Sequence, residues 1–294
     1  MSDGERLLCY ESKAPLLRVL DLHSLEIEPL PTPWDNGYAI DTAWHRRTYI
    51  ALNQTDRGII RIEPSLSGPG RLVGHSSYSP FPALSADHMW LCDPEDRKYG
   101  EPHIAQEVDG NAKVIRELRV PGGAFLRGEL DQQLIVQIDS EHYWWSGRGP
   151  IKDRAVAKGW FLGAIRDTLI WVAVDTPSTL RWDGAHEGTA TPAEVDRWTW
   201  THLSPAPDRS RVAIPFGSTT KGRGGLAILE LESGSCTVAL GDFKASTYRP
   251  VWSPDGASIF LGLPFERRIA RVDTNSLELK LLALKKAPMP ILAL

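Results

Sequence analysis

The sequence predicts an all-β fold: a seven-bladed β-propeller, a ring of four-stranded antiparallel blades closed by the chain's own C-terminal strand. Three observations carry that expectation. One complete four-strand unit is legible near the C-terminus, parts of it recur elsewhere, and an apolar tail fills the single gap that the recurrence leaves.

The unit opens with Arg249-Pro250-Val251-Trp252-Ser253-Pro254-Asp255-Gly256-Ala257-Ser258-Ile259-Phe260-Leu261-Gly262. A short apolar strand, a Pro-Asp-Gly turn and a β-branched and aromatic strand make a hairpin. Two more strands, Arg268 to Asp273 and Leu277 to Leu284, flank the turn formers Thr274-Asn275-Ser276.

The outer half of this unit recurs at the other end of the chain. Asp21-Leu22-His23-Ser24-Leu25-Glu26-Ile27 matches Asp273-Thr274-Asn275-Ser276-Leu277-Glu278-Leu279, and Glu232 to Val238 is a weaker third copy. The inner hairpin returns loosely at Leu203 to Ile214, read here with an insertion in its Ser204-Pro205-Ala206-Pro207-Asp208 turn.

Innermost strands are then expected near Tyr38 to Trp44, Phe81 to Ala86, Ala124 to Leu130, Gly159 to Ile165, Trp200 to Ser204 and Arg249 to Ser253. The N-terminus instead starts with a second strand (Leu7 to Glu11), a third (Leu16 to Leu22) and a fourth (Glu26 to Leu30), so the first blade lacks its inner strand. Met289-Pro290-Ile291-Leu292-Ala293-Leu294 supplies it and removes the exposed edge of an open ring. The single domain 1–294 divides into blades at 289–294 with 6–31, 38–75, 80–119, 124–157, 159–192, 200–241 and 249–284. Six blades with a hairpin extension are the alternative.

Composition fits a packed core, with 42% hydrophobic and 24% charged residues. A net charge of -4 and a pI near 6.1 argue against nucleic acid as a partner, which needs a clustered surplus of Lys and Arg. The polar start Met1-Ser2-Asp3-Gly4-Glu5-Arg6 lacks the form of a secretion signal, and no apolar run is long enough to span a membrane. Three widely separated cysteines, Cys9, Cys92 and Cys236, give no disulfide framework. A reduced, cytoplasmic, monomeric protein without a cofactor is expected.

The Pro250-x-Trp252-Ser253-Pro254-Asp255-Gly256-x-x-Ile259 pattern resembles the repeat of TolB-like and WD40-like propellers, where it forms the inner hairpin. The resemblance implies the fold and a usual role in recognition. It transfers no catalytic residue, and the Gly-His and Trp-Asp signatures of true WD40 repeats are absent as a set.

In such a ring the loops from each outer strand to the next inner strand, and those between second and third strands, gather at the channel mouth. They hold Trp34, Asp35, Tyr38, Trp198, Trp200, Tyr248 and Arg249, with Arg223 and Arg267 on the rim. Aromatic and charged groups in that mixture suit a planar or sugar-like ligand, or an acidic peptide loop. For any one of the aromatics, packing between blades is the commoner role. Trp252 and Trp44 are expected in the core, and Trp144 and Trp145, consecutive on one strand, must point to opposite faces.

Asp93, His103, Asp139, Glu141 and His142, from equivalent loops, have residue types that suit a divalent ion. Their spacing is not diagnostic, so surface acids with a structural His are the better reading and no metal is expected. No Gly-x-Ser-x-Gly elbow occurs, and the Gly217 to Gly225 loop joins two strands rather than opening a helix, so it is no phosphate loop. A general acid-base pair from Tyr248, His202 or Asp41 has no support in spacing.

Two functional classes remain. One is a propeller that binds a partner protein or small ligand at the mouth; the other is an enzyme of small-molecule metabolism, a lyase, cyclase or hydrolase, with its active site there. A deep, water-excluding pocket would mark the enzyme, and a broad shallow rim the binding module.

Overall fold

A computed structural model describes residues 6–10, 17–29, 39–45, 48–53, 58–62, 71–75, 79–81, 89–92, 100–109, 113–130, 133–139, 141–151, 157–165, 168–183, 187–198, 203–218, 223–241, 243, 250–263, 266–284 and 289–293. The elements among them are β-strands in antiparallel sheets. No helix among the described residues is long and apolar enough to cross a membrane.

The strands fall into groups along the chain. The first comprises β1 (Arg6–Tyr10), β2 (Leu17–Asp21) and β3 (Ile27–Pro29). The second holds β4 (Ala39–His45), β5 (Thr48–Asn53), β6 (Gly58–Ile62) and β7 (Arg71–His75), and the third β8 (Ser79–Phe81), β9 (Met89–Cys92), β10 (His103–Val108) and β11 (Val114–Val120). A seven-stranded path follows: β12 (Ala124–Leu130), β13 (Gln133–Ile138), β14 (Glu141–Trp145), β15 (Ala157–Ile165), β16 (Thr168–Ala173), β17 (Leu180–Asp183) and β18 (Gly188–Ala190). Next come β19 (Arg197–Trp198), β20 (Ser204–Pro205), β21 (Arg211–Ser218), β22 (Arg223–Glu230) and β23 (Cys236–Leu240). The last sheet is β24 (Val251–Trp252), β25 (Ser258–Leu263), β26 (Arg268–Asp273) and β27 (Leu279–Ala283). Strand β28 (Met289–Ala293) leaves that sheet and joins the first, giving the order β28-β1-β2-β3 with Leu7 opposite Ala293 and Cys9 opposite Pro290.

The seven-stranded path is two units sharing β15. Strand β14 meets β15 only at Glu141 with Lys158 and His142 with Ala157; from Gly159 onward β15 pairs with β16. Gly159 makes the change of partner possible. Its φ is 149°, and a Cβ there would fall on the carbonyl oxygen of Val172.

Some expected strands shift. The inner strand read at Trp200 to Ser204 is instead paired at Arg197–Trp198 and Ser204–Pro205, both against β21, while 199–202 lie outside the described residues. Of the one read at Phe81 to Ala86, Phe81 is paired, in a strand that begins at Ser79, and 82–86 lie outside the described residues. The inner hairpin of β20 and β21 has no insertion. Ser204 and Pro205 occupy the positions of Val251 and Trp252, so Ala206-Pro207-Asp208-Arg209 overlays Ser253-Pro254-Asp255-Gly256. Asp208 accepts from the Ser210 amide as Asp255 accepts from that of Ala257, and Arg209 holds the positive φ (59°) that Gly256 holds (71°).

The outer turns repeat just as closely. Asp21 Oδ1 accepts from the amides of His23 and Ser24 and from the Ser24 hydroxyl; Asp273 Oδ1 accepts from Asn275, Ser276 and the Ser276 hydroxyl. The bond from Asp21 N to Glu26 O recurs from Glu230 to Ser235 and from Asp273 to Glu278. These donors, the Ser24 and Ser276 amides foremost, hold both aspartates below the ordinary carboxylate range. Their stabilising contribution is present above the unfolded pKa and is lost as pH falls through the folded value.

Leu25 (φ 57°) and Leu277 (φ 58°) sit where the Glu230 turn has Gly234 (φ 68°). A branched residue in the left-handed region costs roughly 1 kcal/mol. Leu25 is exposed, so Leu25→Gly is expected to raise stability by up to about 1 kcal/mol, or roughly 2–4 °C in Tm. Leu277 packs on buried core, so Leu277→Gly is expected to gain nothing. Equal shifts from the two substitutions in thermal melts would contradict this account.

The core consists of successive face-to-face contacts between sheets. Trp90, Ala105 and Val120 meet Leu126, Val136 and Trp145; Ile135 meets Leu169 with Trp144, Phe161 and Trp171 around them. Leu162, Ile170 and Trp182 meet Trp198, Val212 and Phe216, and Ala213 and Ile228 meet Trp252 and Ile259. Finally Val251, Phe260 and Ile269 of the last sheet meet Leu7, Cys9 and Leu20 of the first. Trp144 and Trp145 do point to opposite sheets, and Trp252 is buried with its Nε1 donating to Ser204 O at 2.8 Å. The side chain of Trp44 lies outside the description.

Candidate functional site

Which loops share an end is fixed by hydrogen bonds between them. Trp198 N donates to Pro177 O at 3.1 Å and its Nε1 to Ser178 O at 2.8 Å, joining the segment that enters β19 to the β16–β17 loop. Gly241 N donates to Gly224 O and Leu284 N to Arg267 O, joining the segments that leave β23 and β27 to the starts of β22 and β26. Linkers between sheets and loops between second and third strands therefore meet at one end of the sheets.

At that end of β12 to β15 a polar cluster forms. Arg127 Nε donates to Gln137 Oε1 at 2.6 Å, and Gln137 Nε2 donates to Asp139 O. Arg127 is the extra residue of a bulge between Leu126 and Gly128, which sets it apart from the pleat of its strand. Asp139 turns the chain at φ 52°, and Tyr143 donates its hydroxyl to Glu141 Oε2 at 2.7 Å. Lys158 Nζ stands 3.3 Å from Glu141 Oε1.

The electrostatics of this cluster are settled by those contacts. The Tyr143 hydroxyl and then Lys158 hold the Glu141 carboxyl below its ordinary range, while Glu141 and burial push the Tyr143 phenol up. Glu141 is thus a fixed carboxylate and Tyr143 a fixed phenol, suited to accepting and donating hydrogen bonds rather than to exchanging protons near neutral pH. Arg197 of β19 lies over the Trp160 ring of β15 at 5.9 Å, and Val174 on the β16–β17 loop is 46% exposed.

The expected site residues divide. Trp34, Asp35, Tyr38, Trp200, Tyr248 and Arg249 lie outside the described residues, as do Asp93 and His202. Arg223 opens β22 and is exposed; Arg267, also exposed, stands at φ 54° immediately before β26. Trp198 is 1% exposed and meets Phe216 edge-on at 6.2 Å, so in this structure its indole is a packing group. His103 and His142 are buried, the latter tilted against Phe161 at 4.9 Å, whereas Asp139 is exposed. Among the described residues no three His, Cys, Asp or Glu side chains converge as metal ligands.

Arg127, Gln137 and Lys158 escaped the sequence reading. The signal for Arg127 is a comparison of inner strands: Ala124-Phe125-Leu126-Arg127-Gly128 and Gly159-Trp160-Phe161-Leu162-Gly163 pair identically, and Arg127 stands where the next sheet buries Leu162.

No protein-family model matches the chain, and no curated protein does. Solved structures do. A Bacteroides fragilis protein described as a candidate 6-phosphogluconolactonase aligns over 98% of this chain and 97% of its own, with a TM-score of 0.59 at 10% identity. AztD of Citrobacter koseri aligns over 100% of this chain and 87% of its own (TM-score 0.55, 12% identity), and Hsv2 of Kluyveromyces lactis over 81% and 75% (0.54, 8%). These are β-propeller folds, and at such identities the likeness establishes that fold for this chain and nothing further.

Proposed function

We propose that the chain is a seven-bladed propeller, closed by β28 as the inner strand of its first blade, that binds a partner protein or small ligand at the channel mouth. The observation that carries the binding reading is the state of the described polar groups there. Glu141 and Lys158 form an ion pair to which the Tyr143 hydroxyl adds a hydrogen bond, and Val174, Arg223 and Arg267 are exposed on other segments assigned to the mouth. A catalytic base would call for a carboxyl raised toward neutrality, and Glu141 is shifted the other way. Trp34, Asp35, Tyr38, Trp200, Tyr248 and Arg249 are the proposed anchors, with Arg223 and Arg267 as polar contacts at the rim.

A thermal-shift screen against metabolites and sugars, followed by affinity capture, tests this. Arg267→Ala is expected to leave the melting temperature within the range of a surface change, about 0.5 kcal/mol, while weakening binding of the screened ligand or captured partner about tenfold. Unaltered binding by both Arg267→Ala and Tyr248→Ala would move the site elsewhere. Turnover of a screened metabolite, abolished by Tyr248→Ala, would favour a lyase, cyclase or hydrolase at the same mouth.

A further inference from the structure

Two neighbouring sheets present the same face with different chemistry. By register, Arg127, Gln137 and His142 of the sheet built on β12 occupy the positions that Leu162, Val172 and Leu180 occupy in the sheet built on β15. Ile135 and Trp144 likewise answer to Ile170 and Trp182. Each face looks to the sheet that follows it: Ile135 and Trp144 meet Phe161, Leu169 and Trp171, whereas Leu162, Ile170 and Trp182 meet Trp198, Val212 and Phe216.

The three replacements change what it costs to part the sheets. Parting the second seam would put Leu162, Val172 and Leu180, each at most 2% exposed, into water together with Trp198 and Phe216. Parting the first wets an arginine, an amide and an imidazole, groups that water solvates well. The bonds from Arg127 to Gln137 and from Gln137 to Asp139 O lie within one sheet, so they survive the separation. Among the described residues the apolar part of the first seam has two fully buried members, Ile135 and Leu169, and the Trp144, Phe161 and Trp171 rings around them are only partly buried. The backbone supplies a pivot at the same place. Lys158 pairs in the first sheet and the next residue, Gly159 at φ 149°, pairs in the second.

We infer that the sheets built on β12 and β15 part as a hinge about Gly159, a local opening that leaves the seam between β15–β18 and β19–β23 closed. This inference stands independently of what binds at the mouth.

The test exploits two consecutive residues of β16 that are both buried and face different seams, Leu169 toward the first and Ile170 toward the second. Leu169→Cys and Ile170→Cys are made separately in the full chain and labelled with a maleimide under native conditions, with peptide mapping to find the modified thiol. The unsubstituted protein gives the background of its own cysteines, of which Cys236 stays protonated because burial pushes its thiol up to about 11. Leu169→Cys is expected to react at least about tenfold faster than Ile170→Cys. Adding Arg127→Leu and Gln137→Val to Leu169→Cys is expected to slow labelling toward the Ile170→Cys rate. Arg127→Leu alone, which only restores the leucine that the next sheet holds at this bulge, is expected to slow it by less. Equal rates at the two positions, rates that simply follow the melting temperatures of the variants, or a Leu169→Cys rate untouched by both sets of seam replacements would each overturn the inference.

Discussion

Removing residues 289–294 is expected to give the largest loss of stability of any short deletion, roughly 10 °C in Tm, with a broader unfolding transition. Strand β28 is the neighbour of β1 and also packs beside β24 and β25 of the last sheet. Its removal strips the ladder from Leu7 to Tyr10 and weakens the contact of Val251 and Phe260 with Leu7 and Leu20. Large-to-small changes at single core residues already cost about 2–5 kcal/mol, and losing a strand is at least of that order. The broadening follows from topology: with the first and last sheets uncoupled, the remaining sheets form an open stack whose ends fray first. Calorimetric melts of the intact and shortened chains decide the matter. An unchanged, equally sharp transition would sink the closure model.

Trp198→Ala is expected to destabilise the protein by about 3–5 kcal/mol, read from the midpoint of urea unfolding. The indole is enclosed by Val212 and Phe216 on one sheet and Leu162 and Ile170 on the other, and its Nε1 bond to Ser178 O ties the linker to the β16–β17 loop. Truncation leaves a cavity and an unpaired carbonyl at once. Trp198→Phe keeps most of the packing and is expected to recover more than half of the loss. A fall below 1 kcal/mol with ligand affinity abolished would return Trp198 to the ligand face.

What could be read from the sequence was whatever depends on local chemistry. The Pro254-Asp255-Gly256 turn names its own geometry, and the Asp21 and Asp273 turns match because one carboxylate must accept from the same following amides. Strand Ala124–Leu130 was found to the residue. The sheets built on β12 and β15 hid their kinship, because a bulge position is free to hold either Arg127 or Leu162 while the pairing around it stays the same. The Ala206 turn was misread for a related reason. Ser204-Pro205 imitates Ser253-Pro254 in letters, but the hydrogen-bond frame places Ala206 opposite Ser253. At the mouth, residue type alone could not separate a tryptophan that binds from one that packs, since burial of Trp198 is decided by Phe216 and Ser178 from other strands.

The pairing of Cys9 with Pro290 also sets a clock on biosynthesis. At roughly 5–20 residues per second, the partner of β1 leaves the ribosome about 15–60 s after β1 itself. During that interval the first hairpins stand with an open edge while the middle sheets already have their neighbours. The nascent chain is therefore most vulnerable at its oldest end, and chaperone dependence or aggregation during expression is expected to track how quickly translation reaches the last strand.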